Sequence, residues 1–446
     1  MNVPEAHRHS EMLGTSARPR SLGAFGPLGA FGVARLPRIV CGAGRITELP
    51  AIAAGYGTRL LLVTGGHSFR DGAAWVPLVA GLAAAGISWS HLAVAGEPSP
   101  ELVDGAVADG RRDPPAVVVG IGGGAALDTA KAIAGLLRSG TSVLDHLEGV
   151  GRNLPYPGPA TPFVAVPTTA GTGSEATKNA VISGRLPGAT ADDPPFKKSF
   201  RDDRLVASVA LLDPDLLAGC PPAVISGDGM DALTQLLEAF TSTGASPFSD
   251  ALARSGLAAI GSALPAWHAA AIDGAGSGDT AEARGAMAWA ALCSGIALAN
   301  AGLGAAHGLV APLGARFGIH HGTGCGALLA AVTRTNLAAL AARAPGSPAL
   351  DRYAEAGRLL AGGPSGGPSA EDGATASALT DKAAREALLT ALDRLTVQLG
   401  IPALSVSGVT ADAFPALVAE SRGSSMRTNP IVLTDAEIEG ILAASL

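Results

Sequence analysis

The feature that most constrains the fold of this chain is a set of short Leu-rich or β-branched runs in its first half, apolar throughout except for Thr64. They cover residues 60–64, 117–121 and 163–166, and each ends at glycine or proline. Helical patterns follow the first run over residues 73–86 and the second up to Leu137. A strand that is apolar at every residue is buried on both faces, as in a parallel sheet covered by helices. The first half is therefore predicted to be an α/β domain.

The character of the chain changes after about Pro214. Residues 226–446 show mainly Ala- and Leu-rich helical periodicity with few strand signals, which predicts an all-helical second half. A chain of 446 residues is too long for one average core, so two domains are expected. We predict a flexible extension over 1–35, an α/β domain over 36–217 and a helical domain over 218–446. The low-complexity segment 362–379 is expected to form a mobile loop.

Charge and cysteine usage exclude several classes of protein. The net charge of −7 argues against nucleic-acid binding, which needs a basic face. No CxxC pair occurs, so neither a zinc knuckle nor a disulfide framework is indicated; the cysteines are Cys41, Cys220, Cys293 and Cys325. A reducing compartment fits this pattern, and no apolar signal-peptide core follows the N-terminus, so we expect a cytoplasmic protein.

One long uncharged stretch must be weighed as a membrane span. Residues 285–315 contain no Asp, Glu, Lys or Arg, which is long enough to cross a bilayer. The stretch is rich in Ala and Gly, which contribute little transfer free energy, and polar residues and Pro312 interrupt it. We therefore predict a buried helix and no membrane association.

A glycine-rich turn follows the second apolar run. Gly122, Gly123 and Gly124 lie where strand gives way to helix, and Asp128 and Lys131 follow in the new helix. Glycines there let the backbone approach a pyrophosphate, and a helix start offers free N–H groups. The alternative is a tight connection with an ordinary first-turn acid and a solvated lysine. The pattern is neither GxGxxG nor a P-loop.

A second polar loop follows the third run, about 45 residues later. It begins at Pro167, contains Thr168, Thr169, Thr172 and Ser174, and places dense hydroxyls at the carboxyl edge of the predicted sheet. Open α/β sheets bind their ligands at that edge. A polar loop with a helix cap is the alternative. The two loops together are a more specific signal than either alone.

The pair GGGxxxDxAK and PTTAGTGSE resembles the hallmark of iron-containing (group III) alcohol dehydrogenases. The similarity runs from Pro37 to the C-terminal segment SSMRTNPIVLTDAEIEGIL. It implies a dehydroquinate synthase-like architecture: an N-terminal parallel-sheet dinucleotide-binding domain, an all-helical C-terminal domain and an active site between them. It also implies a homodimer and an NAD(P)(H) site. The cofactor-binding candidates are Gly65, Gly122, Gly123, Gly124, Asp128, Thr168, Thr169, Thr172, Asn179 and Lys197.

The resemblance also points to a metal site. Asp231 and Gln235 stand at i and i+4 in a helix predicted to start near Gly229, so their side chains leave the same face. Taken alone, such a pair is usually solvated, and histidines in apolar segments such as His307 and His321 are usually core residues. In the resembled family, Asp231, His307 and His321 match three ligands of a divalent metal, Fe(II) or Zn(II).

Two positions depart from the family pattern. Gln235 stands at the fourth ligand position, where the family has histidine, and a glutamine carbonyl is a weaker ligand for these metals. Ala311 stands where many members carry a proton-transferring histidine, which leaves water, ribose hydroxyls or His320 for that task.

The resemblance predicts hydride transfer between NAD(P) and a small alcohol or aldehyde, with Asp231, His307 and His321 as the catalytic set. One alternative is a metal-free reductase resembling maleylacetate reductases, with Gln235 and His307 as hydrogen-bond donors. A second, from another class, is a non-catalytic nucleotide-binding protein. Gly65 stands where NAD-specific members often have an acid, so NADPH is predicted to be accepted at least as well as NADH.

Overall fold

The computed structural model describes residues 30–186, 188, 195–274, 279–361 and 379–446. Most of the predicted extension 1–35 and of the predicted loop 362–379 therefore lies outside the described residues. The segment Val33–Leu446 forms one compact unit, which contains every element below.

Six parallel strands form the central sheet, and two further strands pair antiparallel. In chain order the strands are β1 Arg38–Cys41, β2 Arg59–Gly65, β3 Ser88–Val94, β4 Val117–Gly122, β5 Phe163–Pro167, β6 Asn179–Gly184, β7 Phe196–Arg201 and β8 Val209–Leu212. The sheet order is β1-β8-β5-β4-β2-β3, and β6 pairs with β7. Strands β2, β4 and β5 contain the three predicted apolar runs, so these predictions are confirmed.

The register of the sheet brings three strand ends to one edge. Thr64 of β2 pairs with Ile121 of β4, and Gly122 of β4 pairs with Pro167 of β5. The turns that follow these strands must therefore leave the sheet side by side, at its carboxyl edge. The sequence does not show this register. The register places the two polar loops next to each other.

Helices cover the sheet and make up the second half. They are α1 Leu49–Ala54, α2 Trp75–Ala84, α3 Pro100–Gly110, α4 Gly124–Leu136, α5 Pro222–Thr241, α6 Pro247–Asp273, α7 Asp279–Ala301, α8 Ala305–Phe317, α9 His321–Arg343, α10 Pro348–Ala361, α11 Asp381–Gln398, α12 Phe414–Ser421 and α13 Asp435–Ala444. A parallel sheet followed by a helical part confirms the predicted fold class. The domain boundaries at 36–217 and 218–446 stay a prediction.

The helix α5 starts earlier than the sequence suggested. We predicted a start near Gly229, but the helix begins at Pro222, directly after Pro221 as its N-cap. A proline in the first turn costs no hydrogen bond and presets the backbone angle φ for a helix. Gly229 lies inside α5 because of packing: a Cβ there would stand 2.2 Å from Cδ1 of Leu264.

The uncharged stretch 285–315 is not one helix. It is split between α7 and α8, which are bent by 103° at the break between them. Gly302 in this break has φ of +78°, a conformation that favours glycine. Among the described residues, α9 is the single helix with the length and composition of a membrane span. The bent pair α7 and α8 would be a second candidate if it were counted as one span. Of the most apolar window of α9, 56% is buried inside the protein, as in a core helix.

Candidate metal and cofactor site

The glycine turn between β4 and α4 lies against the end of β2. Gly122 has φ of +158°, and a Cβ there would stand 2.6 Å from Cβ of Ala126 and 3.1 Å from the backbone nitrogen of Gly65. A Cβ on Gly124 would stand 2.7 Å from Cγ2 of Thr172. The lack of side chains at these positions is therefore a packing requirement, and it brings Gly65, Gly122 and Thr172 together.

The same turn supplies the start of α4. Gly123 is its N-cap, with an extended backbone and no side chain to cap the first N–H groups. A Cβ on Gly123 would stand 3.2 Å from Cγ2 of Thr169, and the backbone N–H of Thr168 donates to the carbonyl of Gly122 at 3.0 Å. The two predicted loops therefore contact each other. Free N–H groups at a helix start, beside hydroxyls, suit a pyrophosphate.

A buried hydrogen-bond network holds in place the polar loop of residues 167–174, which we call the hydroxyl loop. Lys131 is fully buried and donates to the carbonyl of Ser174 at 2.8 Å and to the carbonyl of Asn179 at 2.6 Å. Asp128 accepts from Oγ of Ser174 at 2.5 Å and from the N–H of Val181 at 2.9 Å. These contacts of Asp128 and Lys131 position the loop, and the cofactor-binding role of Asp128 stays a prediction.

The remaining cofactor candidates lie at the rim of the same edge. Lys197 on β7 forms an ion pair with Glu97 at 3.0 Å. Its charge also contributes to lowering the pKa of His321, so Lys197 lies within electrostatic reach of the helical part. Asn179 begins β6 and is half-buried. A Cβ on Gly65 would meet no atom within 4 Å, so the end of β2 is open.

Four side chains from three helices converge beyond the hydroxyl loop. They are Asp231 of α5, His307 of α8, and His321 and Cys325 of α9, and one ligand atom of each lies within 4.8 Å of all the others. We call these four residues the ligand cluster. Oδ1 of Asp231 stands 3.3 Å from Nε2 of His307 and 3.7 Å from Nε2 of His321. The three predicted ligands are thus brought together, with Cys325 beside them.

Glu238 orients the ring of His307 by binding its Nδ1, on the side of the ring away from the ligand cluster. Its Oε2 accepts from Nδ1 of His307 at 2.7 Å and from the N–H of Gly304 at 2.8 Å, and its Oε1 accepts from the N–H of Ala306 at 2.7 Å. The carboxylate therefore caps the start of α8 and holds the ring with Nε2 toward the cluster. Metal-binding histidines commonly rest on such a carboxylate.

Gln235, the predicted fourth ligand, lies beside the cluster with its amide already engaged. Its Oε1 accepts from Oγ of Ser294 at 2.7 Å, and its Nε2 donates to the carbonyl of Thr172 at 3.4 Å. The contact with Thr172 links the hydroxyl loop directly to the helix that carries Asp231.

The groups of the cluster shift one another's pKa strongly. Burial alone would raise the pKa of Asp231, but His321, His307 and Gln235 outweigh burial and lower it to about 2. Burial alone would lower the pKa of His307, yet Cys325, Asp231 and Glu238 raise it well above the usual value. Burial is the main reason that the pKa of His321 falls to about 4.

The chemistry of the cluster fits a divalent cation. Asp231 and Glu238 are both buried, and uncompensated buried carboxylates are costly. A carboxylate, two imidazoles and a thiol are ligands of Zn(II) and related ions. One cation at the cluster would balance the carboxylates and could bind the four ligand atoms that lie within 4.8 Å of one another.

Family profiles cover nearly the whole chain. The profile described as "Iron-containing alcohol dehydrogenase" matches residues 37–214, and the one described as "Fe-containing alcohol dehydrogenase family, C-terminal" matches residues 225–446. The chain belongs to the iron-containing alcohol dehydrogenase family. The family membership expected from the two motifs is thereby confirmed.

Individual relatives agree with this membership. The chain is 33% identical over 285 residues to an NAD-dependent methanol dehydrogenase of Bacillus methanolicus, covering 64% of this chain and 65% of that protein. It is 34% identical over 301 residues to the probable alcohol dehydrogenase EutG of Salmonella typhimurium, covering 67% and 72%. A crystal structure of 1,3-propanediol oxidoreductase aligns with a TM-score of 0.77 at 28% identity, covering 94% and 100%.

Asp228 is an acidic residue outside the ligand cluster, and it lies between the hydroxyl loop and His320. Asp228 is buried, and burial raises its pKa to about 6 against a hydrogen bond from Thr169 and the field of His320. His320 is exposed at the N-cap of α9, where a Cβ on Gly227 would stand 3.3 Å from its Nδ1. Ala311 lies on α8, one turn after His307, and has no group that could transfer a proton.

Glu238, Cys325 and Asp228 were not among the predicted site residues. Glu238 had a usable signal, because it stands at i+7 from Asp231 on a helix without other charges in that interval. Cys325 had one too, at i+4 from His321 on α9. Asp228 stands at i−3 from Asp231 on α5, but its contacts with Thr169 and His320, which come from another loop and another helix, had no signal in the sequence.

Proposed function

We propose that the protein is a metal-dependent oxidoreductase that transfers a hydride between NAD(P)(H) and a small alcohol or aldehyde. The single observation that carries this proposal is the contact between Thr172 and Gln235. It joins the loop beside the glycine turn to the helix that presents Asp231. A cofactor with its pyrophosphate on the turn would extend along Thr169 and Thr172 toward the ligand cluster.

The roles of the residues follow from their positions. Asp231, His307 and His321 would hold the metal, which when bound supplies Lewis-acid polarisation of a carbonyl or hydroxyl oxygen. Glu238 keeps Nε2 of His307 directed inward. The hydroxyls of Thr168, Thr169 and Thr172 would position the nicotinamide–ribose end, and Gly122–Gly124 would leave room for the pyrophosphate.

A nicotinamide held by the glycine turn and the threonines would, when bound, supply the acceptor for the hydride that an alcohol loses from its carbinol carbon. The hydroxyl proton must leave separately. Because Ala311 cannot accept it, we infer a path along Thr169 and Asp228 toward the exposed His320. These residues run from the hydroxyl loop to the surface, and Thr169 donates to Asp228.

The size of the substrate and the cellular setting are further parts of the proposal. Relatives of this chain are named for methanol, 1-propanol and 1,3-propanediol, which favours a small alcohol or its aldehyde. We infer a homodimer in the cytoplasm, with no nucleic-acid or membrane partner. The net charge of −7 supports the part concerning nucleic acids.

Two other functions would use the same fold. A metal-free reductase would keep His307 and Gln235 as hydrogen-bond donors, and it would remain active after metal removal. A non-catalytic nucleotide-binding protein would bind NADPH or NADH but would turn over no member of a broad aldehyde panel. Screening such a panel with both reduced cofactors, before and after dialysis against a chelator, separates all three.

The decisive variant is His307→Ala, because His307 contributes to the cluster and to the contact with Glu238. We expect loss of bound metal and of most aldehyde reduction. The matched control is His268→Ala, which removes a buried histidine of α6 outside the cluster. If metal content per chain stays at the wild-type level in His307→Ala, the site is misassigned.

A further inference from the structure

We propose that Cys325, and not Gln235, is the fourth protein ligand of the metal. The proposal rests on the proposed function in assuming that the cluster binds a divalent metal. It deepens that function by changing the ligand set from Asp-Gln-His-His to Asp-His-His-Cys. This set would favour a metal that accepts sulfur, such as Zn(II).

The position of Cys325 supports this proposal. It stands at i+4 from His321 on α9, so both side chains leave the same face of the helix. Its Sγ lies 3.9 Å from Nε2 of His307 and within 4.8 Å of a ligand atom of each other cluster member. The side chain is fully buried, so the sulfur is turned to the cluster and not to solvent.

The orientation of Gln235 argues against it as a ligand. Its amide nitrogen donates to the carbonyl of Thr172 at 3.4 Å. Reversing the amide would place its oxygen against this carbonyl oxygen. The carbonyl oxygen, which is the atom that could bind a metal, is therefore directed to Ser294, which donates to it at 2.7 Å.

A thiolate ligand changes the chemistry of the site. The thiol must lose its proton to bind, so loading the metal releases that proton to solvent. Thiolate replaces a neutral donor and adds a negative charge, and soft sulfur selects Zn(II) over Mn(II) or Mg(II). Gln235 of α5 replaces the histidine that the family has as its fourth ligand. Cys325 of α9 would take over that role, so the site would keep a high metal affinity.

Cobalt substitution tests this directly, because a Co(II)–thiolate bond gives an intense near-ultraviolet charge-transfer band that Co(II) bound by nitrogen and oxygen lacks. Wild-type apoprotein titrated with Co(II) should show this band at one Co(II) per chain. Cys325→Ser should lose it and bind Co(II) at least tenfold more weakly. Gln235→Ala should keep the band, with Co(II) affinity within threefold of wild type.

Two controls guard against misfolding and against other sulfurs. Cys293→Ser removes an equally buried cysteine outside the cluster and should keep the band. A variant with Cys41, Cys220 and Cys293 all replaced by serine leaves Cys325 alone and should also keep it. Stoichiometric Co(II) binding without the band in wild type, or a band that persists in Cys325→Ser, overturns the proposal. No Co(II) binding at all would instead overturn the metal-dependent function itself.

Discussion

The carboxylate of Glu238 accepts a hydrogen bond of 2.7 Å from Nδ1 of His307, across 69 positions of sequence. A carboxylate only accepts, so the proton must sit on Nδ1, and Nε2 is left for the ligand cluster. The same carboxylate binds two N–H groups at the start of α8. The tautomer of the histidine and the position of its helix are thus fixed by one side chain.

Glu238→Gln should weaken metal binding. An amide has one acceptor oxygen and would turn its NH₂ toward at least one of the three donors, so the ring of His307 would lose its support. We expect a ten- to hundredfold rise in the metal dissociation constant, a typical cost for such a partner. Competition with a chromophoric chelator measures it.

The control for this prediction is Asn429→Ala. The side chain of Asn429 also accepts from the start of α8, at the N–H of Ala305, but it does not contact His307. This variant should lower thermal stability while metal affinity stays near the wild-type value. Equal metal affinity in Glu238→Gln and wild type would contradict the orienting role.

Gly123→Val should impair cofactor binding. The added side chain would meet Thr169 and occupy the space above the start of α4, where a pyrophosphate must approach the backbone. We expect the dissociation constant of the reduced cofactor to rise at least tenfold, or about 1.4 kcal/mol. Fluorescence titration with NADH and NADPH measures it.

Gly105→Val is the matched control, because it makes the same change on the exposed face of α3 with open space around the new Cβ. Its cofactor affinity should equal that of wild type. A folded Gly123→Val protein with unchanged affinity would remove the turn from the cofactor site.

NADPH should serve at least as well as NADH. Gly65 ends β2 without a carboxylate, and Ser68 and Arg70 are exposed just beyond it, where they could meet a 2′-phosphate. Gly65→Asp, whose side chain has open space, should shift the ratio of kcat/KM at least tenfold toward NADH. Steady-state rates with one aldehyde and both cofactors measure this. A wild-type preference of tenfold or more for NADH would show the prediction to be wrong.

Glu175 should make stability fall as pH rises. Burial raises the pKa of this carboxyl from 4.5 to about 7. Between these values the unfolded chain loses its proton while the folded chain keeps it, so the free energy of unfolding decreases with rising pH. The total loss is on the order of 3 kcal/mol, complete above about pH 7.

Glu175→Gln should remove that loss, because glutamine stays neutral. Urea unfolding at pH 5 and pH 8 measures the difference, which should shrink in the variant by most of this amount. Glu101→Gln, on the exposed surface of α3, is the control and should behave as wild type. An equal pH dependence in Glu175→Gln and wild type would refute the assignment.

The local sequence was enough to predict the buried strands and the glycine turn, because each depends only on residues that are close together in the chain. Strands β2, β4 and β5 lie inside the sheet, and their buried residues are all apolar except Thr64, so the pattern predicted them. Strand β3 lies at the edge of the sheet and alternates exposed with covered residues, and no continuous run marked it. The turn at Gly122 was readable because its glycines follow directly from a strand end.

What only the tertiary structure decided is the meeting of distant side chains. The sequence located Asp231, Gln235, His307 and His321 through spacing and resemblance. It did not show that the oxygen of Gln235 accepts a hydrogen bond from Ser294. It also did not show that Cys325 of α9 lies in the cluster with Asp231, His307 and His321. Those contacts depend on how α5, α7, α8 and α9 pack, and on the 103° bend that starts α8 at the cluster. Packing angles arise from many side chains at once, so no local pattern encodes them.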